Sequence, residues 1–197
     1  MRHDIRISGH AFALRPIERA DAGLIVELRS DDERARYLHR IPLDVAQQAR
    51  YLERYFERPG DYYFVVERIA GGTGQPEGLI GIYDVASDPA RAEWGRWFLR
   101  KGSLAAVESA WLIYRVAFER LKLSEVYCHT LTDNVEVLSF HDRVGLARRH
   151  RLQGLVELDG RAHDVIEHVL VREQWPPVSA ELEGLAVRLA RRLNARP

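Results

Sequence analysis

The stretch that decides the fold is AEWGRWFLRKGSLAAVESA, residues 92–110. Its first part has the character of a strand, its middle is a turn of small residues with the basic pair Arg100 and Lys101, and its last part begins a long helix. This order places the unpaired N–H groups of a helix N-terminus at the end of a strand, where the helix dipole favours anions. The stretch predicts a site for a phosphate-bearing ligand, with an ordinary strand-to-helix connection as the alternative.

Charge and composition limit the classes of partner. The 197 residues are 46% hydrophobic and 29% charged, and the 29 basic side chains equal the 29 acidic ones. A chain with no net charge has no overall field to attract nucleic acid or an anionic membrane. We therefore expect neither as a partner, and we expect one domain with an appendage.

The cysteine content and the lengths of the apolar runs indicate in which cellular compartment the protein lies. The single cysteine, Cys128, excludes an internal disulfide and a cysteine-based zinc site, and its alternating surroundings predict a packed strand residue. His129, His163 and His168 do not have a spacing typical of metal ligands, so we predict no metal and take them as scattered strand histidines. The first residues do not lead into an apolar core, and no apolar run has the roughly 18 residues that a membrane span needs. These features predict a cytoplasmic protein.

The elements around the opening stretch alternate in a definite order. The pattern predicts a strand at 11–16, helices at 17–28 and 45–56, and an antiparallel meander of strands at 62–69, 79–85 and 91–99. A long helix at 103–121 then leads to a strand at 126–131, and such a crossover makes this last pair of strands parallel. A short helix at 135–144 is capped by Asn134 and ended by Gly145, and Asp159-Gly160 joins a final hairpin of strands 146–158 and 161–171. The prediction is an α/β (α+β) fold with a mixed, mostly antiparallel twisted sheet of about seven strands and flanking helices.

The C-terminal tail is predicted as an extra helix. Trp175-Pro176-Pro177 interrupts the pattern, so we divide the chain into a domain at 1–175 and a helical tail at 176–197. From residue 179 to residue 193 an amphipathic helix carries an apolar stripe of Leu182, Leu185, Leu189 and Leu193. The stripe either packs back on the domain or forms a homodimer contact.

The order of these elements resembles the GNAT family of acyl-CoA-dependent N-acetyltransferases. The resemblance covers about residues 12–175 and rests on four pieces: the strand at 92–97, the end of the long helix at 114–123, the Asn-led helix at 134–146, and the closing residues 172–175. The turn departs from the family pattern, because the family's usual register puts a glycine at Leu104 while the glycine of this chain is Gly102.

The resemblance implies acetyl-CoA as cofactor and assigns residues to it. The strand end would bind the pantetheine arm and the thioester oxygen through backbone N–H groups, and the turn would wrap the pyrophosphate. Asn134 is either only an N-cap or also a contact to the cofactor arm. The predicted cofactor residues are Trp97, Phe98, Leu99, Arg100, Lys101, Gly102, Ser103, Leu104, Ala105, Ala106, Asn134 and Arg143.

Acetyl transfer from a thioester to an amine needs a base for the amine, polarisation of the carbonyl, and help for the leaving thiolate. Glu93 is the predicted base, with a solvated strand residue as the alternative. His141 occupies the position where the family often has a tyrosine acid, and an ordinary pKa near 6.5 would suit proton donation; the alternative is a polar helix residue. Gly95 is compatible with the two central strands separating at a bulge.

Two aromatic side chains complete the predicted site. Tyr83 and Trp94 are the predicted contacts of the small-molecule amine acceptor. Alternation along the strand places Trp94 and Trp97 on opposite faces, so that one packs in the core.

Three functions compete at this stage. The segments 81–84 and 93–97 resemble the branch that acetylates nucleotide-linked amino sugars, so we favour an acetyl-CoA-dependent N-acetyltransferase that acts on the primary amine of such a sugar or of another small molecule. Residues 173–175 resemble instead the branch that acetylates ribosomal protein N-termini, which is the first alternative. A non-catalytic acyl-CoA-binding module is the alternative from another class, because the turn is irregular and the tyrosine is missing.

Overall fold

The computed structural model describes residues 2–72, 74–146 and 148–194. Its centre is one eight-stranded sheet with the order β1-β2-β3-β4-β5-β6-β8-β7. The strands are β1 (Ile7–Ser8), β2 (Phe12–Pro16), β3 (Tyr62–Arg68), β4 (Gln75–Ser87), β5 (Ala90–Leu99), β6 (Glu125–Leu131), β7 (Arg148–Leu158) and β8 (Arg161–Val171). The predicted mixed fold is confirmed, but the count of about seven strands is wrong: β1 has two residues, too few to give an alternating pattern.

Helices cover both faces of the sheet. They are α1 (Ala22–Arg29), α2 (Asp32–Ala35), α3 (Val45–Tyr55), α4 (Ala106–Arg115) with a π-helical continuation (Val116–Arg120), α5 (Val135–Arg143) and α6 (Trp175–Asn194). Helices α1 and α3 pack on one face, around Leu52, Tyr63 and Leu79, which we call the α1 face. Helices α4 and α6 pack on the other, around Trp94 and Leu112, which we call the α4 face.

Strands β5 and β6 separate soon after they pair. They are parallel, as the crossover predicts, but their register covers only Arg91↔Glu125, Ala92↔Val126 and Glu93↔Tyr127. Both strands continue beyond these pairs, β5 to Leu99 and β6 to Leu131. The sheet therefore opens between residues 94–99 and residues 128–131, a gap that we call the strand cleft.

A bulge in β5 changes which side chains share a face. Leu79 pairs with Phe98 and Gly81 with Gly95, so two residues of β5 lie opposite one residue of β4. Arg96, within the bulge, has a positive φ of 50°. Trp94 and Trp97 consequently lie on the same face with ring centroids 5.5 Å apart. The prediction that alternation separates these two tryptophans is wrong, because alternation holds only in an unbulged strand.

Helix α6 belongs to the same core as α4. It begins at Trp175, and Pro176 and Pro177 lie in its first turn, where a helix needs no backbone donors. The helix thus begins at Trp175 and not at the predicted residue 179, while the domain boundary at residue 176 stays a prediction. Leu182 is fully buried, and the Trp111 indole N–H donates to Ser179 Oγ over 3.1 Å. The tail thus packs on α4, and residues 195–197 of the predicted segment lie outside the described residues.

Candidate active site

Glu93 lies where the strand cleft begins, and its side chain is on the α1 face. Its Oε1 accepts a hydrogen bond from the Tyr83 hydroxyl over 3.0 Å, and its Oε2 lies 3.1 Å from His129 Nδ1. The Tyr83 hydroxyl fits there because Gly95 has no side chain: a Cβ on Gly95 would lie 2.4 Å from it. Burial, and then the Glu93 carboxylate, raise the pKa of Tyr83 well above its usual value, so Tyr83 stays protonated. The structure thus brings predicted residues Glu93 and Tyr83 together.

His129 is a functional candidate that sequence reasoning missed. Its Nε2 lies 3.2 Å from Glu167 Oε2, so its two ring nitrogens face two carboxylates. Burial lowers the pKa of His129, but the hydrogen bonds and charges of Glu93 and Glu167 outweigh burial and raise it above its usual value. The signal for this group is the strand pairing, which sets Tyr127 opposite Glu93 and His129 opposite Glu167.

Aromatic side chains line the strand cleft on the α4 face. The Trp97 ring lies 5.1 Å from Phe140, and its indole N–H donates to Ser109 Oγ over 3.1 Å. Trp94 is only 2% exposed, and its indole N–H donates to the Tyr114 hydroxyl over 2.9 Å. Trp94 is therefore a core residue on the α4 face and not the acceptor contact that we predicted.

His141 is buried behind these rings. It is 1% exposed, and its Nε2 lies 3.5 Å from Cys128 Sγ. Burial, followed by the neighbouring His168, lowers the pKa of His141 to about 3. The ordinary pKa assumed for its acid role is thus wrong, since desolvation disfavours the charged imidazolium. Cys128 is buried as well, as predicted for a packed strand residue.

The turn before α4 has the backbone of an anion site. Gly102 has a φ of 78°, and the Ser103 hydroxyl accepts from the Ala105 N–H over 3.2 Å. The N-cap, Ala105, provides no side-chain cap, so the first-turn N–H groups of α4 are free to bind an anion. Helix α4 begins at Ala106, not at the predicted residue 103, because the serine is used in the turn.

The two basic residues of this turn differ in position. The Arg100 guanidinium pairs with Glu27, and its Nε donates to the Pro76 carbonyl over 2.8 Å. Lys101 is exposed. Arg100 is therefore held on the side of β4 and α1, whereas Lys101 is free to reach an anion at the helix N-terminus.

A groove runs between the first turn of α4 and the outer side of α5, and we call it the α4 groove. It contains the predicted residue Arg143, together with Leu185 of α6, which sequence reasoning missed. The lining residues are Val107, Val135, Glu136, Ser139, Phe140, Arg143, Val144 and Leu185. Apolar walls beside a free helix N-terminus fit the pantetheine arm and the phosphates of a coenzyme A ester.

Asn134 is the N-cap of α5. Its Oδ1 accepts from the Val137 N–H over 3.5 Å. The cap role is thus observed, and its contact with a cofactor stays a prediction.

Residues 34–37 cross the strand cleft on the α1 face. Arg34 donates to the Leu99 carbonyl over 2.5 Å, and its guanidinium lies 5.3 Å from the Phe98 ring. Three residues later, the Tyr37 hydroxyl lies 3.5 Å from the Asp133 carbonyl on the β6 side. This segment, which we call the cover, forms a wall over the side of the cleft that Glu93 faces.

Arg29 lies in the last turn of α1 and contacts the chain just after the cover. Its guanidinium donates to the His39 carbonyl, while its Nε is buried without a hydrogen-bond partner among the described residues. Burial lowers the pKa of Arg29, and no carboxylate of the described residues is among the groups that act on this pKa. A cation removed from water without a carboxylate partner has capacity for an anionic ligand.

The described residues contain neither a cluster of metal ligands nor a helix suited to a membrane. Within residues 2–72, 74–146 and 148–194, no three His, Cys, Asp or Glu side chains are grouped as metal ligands. Among the helices of the same ranges, none has both the length and the apolarity needed to cross a bilayer.

Comparison with known proteins identifies the fold. The sequence matches no curated protein. Among solved structures, a GCN5-related N-acetyltransferase from Brucella melitensis is 17% identical, with a TM-score of 0.78 over 93% of this chain and 86% of the other. FdhC, a nucleotide-linked sugar GNAT, is 24% identical, with a TM-score of 0.74 over 91% of this chain and 97% of the other.

A third solved structure is spermidine N-acetyltransferase SpeG from Vibrio cholerae, in its N152L mutant form. It is 17% identical, with a TM-score of 0.72 over 84% of this chain and 96% of the other.

Residues 12–147, more than half of the chain, match the acetyltransferase (GNAT) domain family. The chain therefore belongs to the GNAT acetyltransferases and is an N-acetyltransferase.

Proposed function

We propose that the protein transfers the acetyl group of acetyl-CoA to a primary amine and that Glu93 is the base. The observation that carries this proposal is the position of Glu93 where β5 and β6 separate, with the α4 groove on the opposite face. A donor in the groove and an amine on the α1 face would meet only at the strand cleft.

The residues of the chain have separate tasks in this reaction. Acetyl-CoA, when bound, supplies the thioester carbonyl. The first turn of α4, Lys101 and Arg143 hold its phosphates, and the free edge of β5 at 94–99 presents backbone N–H groups to the arm. Glu93 removes a proton from the amine through a lone pair not used by Tyr83 or His129. The cover at 34–37 closes the far end of the strand cleft, between Leu99 and Asp133.

His141 has a packing task in our proposal. A pKa of about 3 leaves it without an imidazolium proton near neutral pH. Its ring instead fills the space between Trp94 at 5.4 Å and Phe140 at 5.5 Å. His141 therefore has no imidazolium proton to give to the leaving thiolate.

For the acceptor, we favour a nucleotide-linked amino sugar. Arg29 and Arg34 put positive charge on the α1 face, which suits a diphosphate and repels a polyamine. The name of FdhC, a nucleotide-linked sugar GNAT, agrees with this choice.

The alternative acceptor, a protein N-terminus, rests on residues 173–175, but Trp175 packs in the core against Phe118 at 5.5 Å. Packing in the core is sufficient to explain why a tryptophan stands at position 175.

A panel of amines tests the function and the acceptor together. Release of coenzyme A from acetyl-CoA would be measured with a nucleotide-linked amino sugar, spermidine, and a peptide with a free N-terminus. We expect release only with an added amine, and fastest with the sugar. Faster release with the peptide would support the protein N-terminus instead. Binding of acetyl-CoA with no release for any amine would support a non-catalytic module.

Arg29→Ala tests the anionic part of the acceptor. We expect KM for the nucleotide-linked amino sugar to rise about tenfold or more, since a hydrogen bond to a charged group contributes about 1.5–3 kcal/mol. KM for acetyl-CoA should not change. Arg19→Ala is the matched control, because Arg19 pairs with Glu53 at the surface. An equal rise in KM for a sugar amine without phosphate would contradict a role in binding phosphate.

Leu185→Asp tests the α4 groove as the donor site. A carboxylate in this apolar wall should raise Kd for acetyl-CoA about tenfold, through lost apolar contact and repulsion of the phosphates. Calorimetric titration measures this directly. Leu43→Asp is the control, because Leu43 is 51% exposed and lies outside the groove. Unchanged Kd in Leu185→Asp would place the donor elsewhere.

A further inference from the structure

A continuous row of polar groups at hydrogen-bond distances crosses the sheet on the α1 face. It runs from Tyr83 on β4 through Glu93 on β5 and His129 on β6 to Glu167 on β8, with successive distances of 3.0, 3.1 and 3.2 Å. Every member is on a different strand, and the sheet register holds them at these separations.

We propose that His129 is a positioning residue whose neutral ring faces the Glu93 carboxylate with Nδ1 and receives through it the proton taken from the amine. This proposal rests on the proposed function of Glu93. His129 does not touch the amine, because both of its ring nitrogens face carboxylates. Its effect on the substrate therefore passes through Glu93.

The proton moves in two balanced steps. In the first, the ammonium N–H bond breaks and an O–H bond forms on Glu93, which leaves a neutral amine to attack the carbonyl. In the second, that proton passes from Glu93 to Nδ1 of neutral His129, which restores the carboxylate and forms an imidazolium. The Nε2–H of this imidazolium donates to Glu167, whose negative charge stabilises the new positive charge.

The row ends close to solvent. The side chains of Glu93, His129 and Glu167 are 15–16% exposed, whereas Arg91, which lies 3.6 Å from Glu167, is 35% exposed. The proton can therefore leave toward solvent from the Glu167 end. In the neutral ring that the relay requires, the proton is on Nε2 and donates to Glu167, and Nδ1 is the acceptor that faces Glu93.

Titratable and charged groups lie on each strand packed against His129 or its neighbours. Two carboxylates contact it directly, and Arg91 partly offsets Glu167. The groups are Tyr83 and Asp84 of β4, Arg91 and Glu93 of β5, Glu125 and Tyr127 of β6, and Glu167 of β8. The effect of the carboxylates on the pKa of His129 is larger than that of burial, so the pKa is raised. The ring should therefore lose its second proton only at a pH above about 6.5, the ordinary histidine value.

The pH dependence of kcat/KM tests the proposal. Relay through His129 requires the neutral ring, so kcat/KM of the wild-type protein should rise with pH through a midpoint above 6.5. In His129→Gln the midpoint should fall by at least about one unit, toward the ordinary glutamate value near 4.3, and the plateau should fall about tenfold. His163→Gln, another strand histidine, should keep the wild-type midpoint. An unchanged midpoint in His129→Gln would overturn the relay.

An NMR titration of the His129 ring provides a test that needs no turnover. We expect its midpoint above 6.5 in the wild-type protein and a lower midpoint in both Glu93→Gln and Glu167→Gln. Titration below 6.5, or no shift in either variant, would overturn the inference. Failure of the proposed function differs from both results, because it would appear as no amine-dependent release of coenzyme A by the wild-type protein at any pH.

Discussion

Glu93→Gln is expected to lower kcat for acetyl transfer by about 10²–10³-fold, within the range known for loss of a general base. Glutamine has nearly the same shape and can still accept the Tyr83 hydrogen bond, so the cleft should keep its form. It cannot accept a proton from the amine. Steady-state release of coenzyme A measures kcat, and calorimetric titration should give an unchanged Kd for acetyl-CoA.

The control for this variant is Glu157→Gln. Glu157 is an exposed carboxylate on β7 of the same sheet, and we expect wild-type kcat for this variant. If Glu93→Gln turned over as fast as Glu157→Gln, Glu93 would not be the base. If it also lost acetyl-CoA binding, the cleft itself would have been damaged.

Leu182→Ala is expected to lower the free energy of unfolding by about 2–5 kcal/mol. Leu182 is 0% exposed in the core that α6 shares with α4. Removing its side chain leaves a cavity between two helices that the sheet holds in place. Urea unfolding followed by circular dichroism measures the change.

Leu43→Ala is the matched substitution at the surface. Leu43 is 51% exposed, so its truncation should change the free energy of unfolding by less than about 0.5 kcal/mol. Equal effects of the two substitutions would mean that α6 is an independent tail, as the boundary at residue 176 predicts. A large effect only for Leu182→Ala would make α6 part of the folded domain.

Local chemistry explains which elements the sequence predicts well. Asp159 and Gly160 have φ values of 50° and 73°, the conformation that an Asp-Gly hairpin turn requires. Asn134 caps α5, and Gly145 follows it with a φ of 81°. In each case a few adjacent residues determine the geometry, so the sequence alone is sufficient.

The candidate site depends on contacts between distant residues, and these were predicted less well. One extra residue in β5 places Trp94 and Trp97 on the same face. No local sequence pattern predicts such a bulge. His129 meets Glu93 and Glu167 through the register of three strands. The pKa of His141 follows from burial, which only the packed structure reveals. Glu93 and Tyr83, which lie opposite each other in one hairpin, could be predicted together.

The central claim is that Glu93 removes the proton from the amine at the strand cleft. The most direct test is the ratio of kcat/KM between the wild-type protein and Glu93→Gln, measured with the same amine at about pH 6.5 and about pH 9. We predict a large ratio at the lower pH that falls at least about tenfold at the higher pH, because an amine that is already neutral needs no base. A ratio that stays the same at both values would contradict the role of Glu93 as the base.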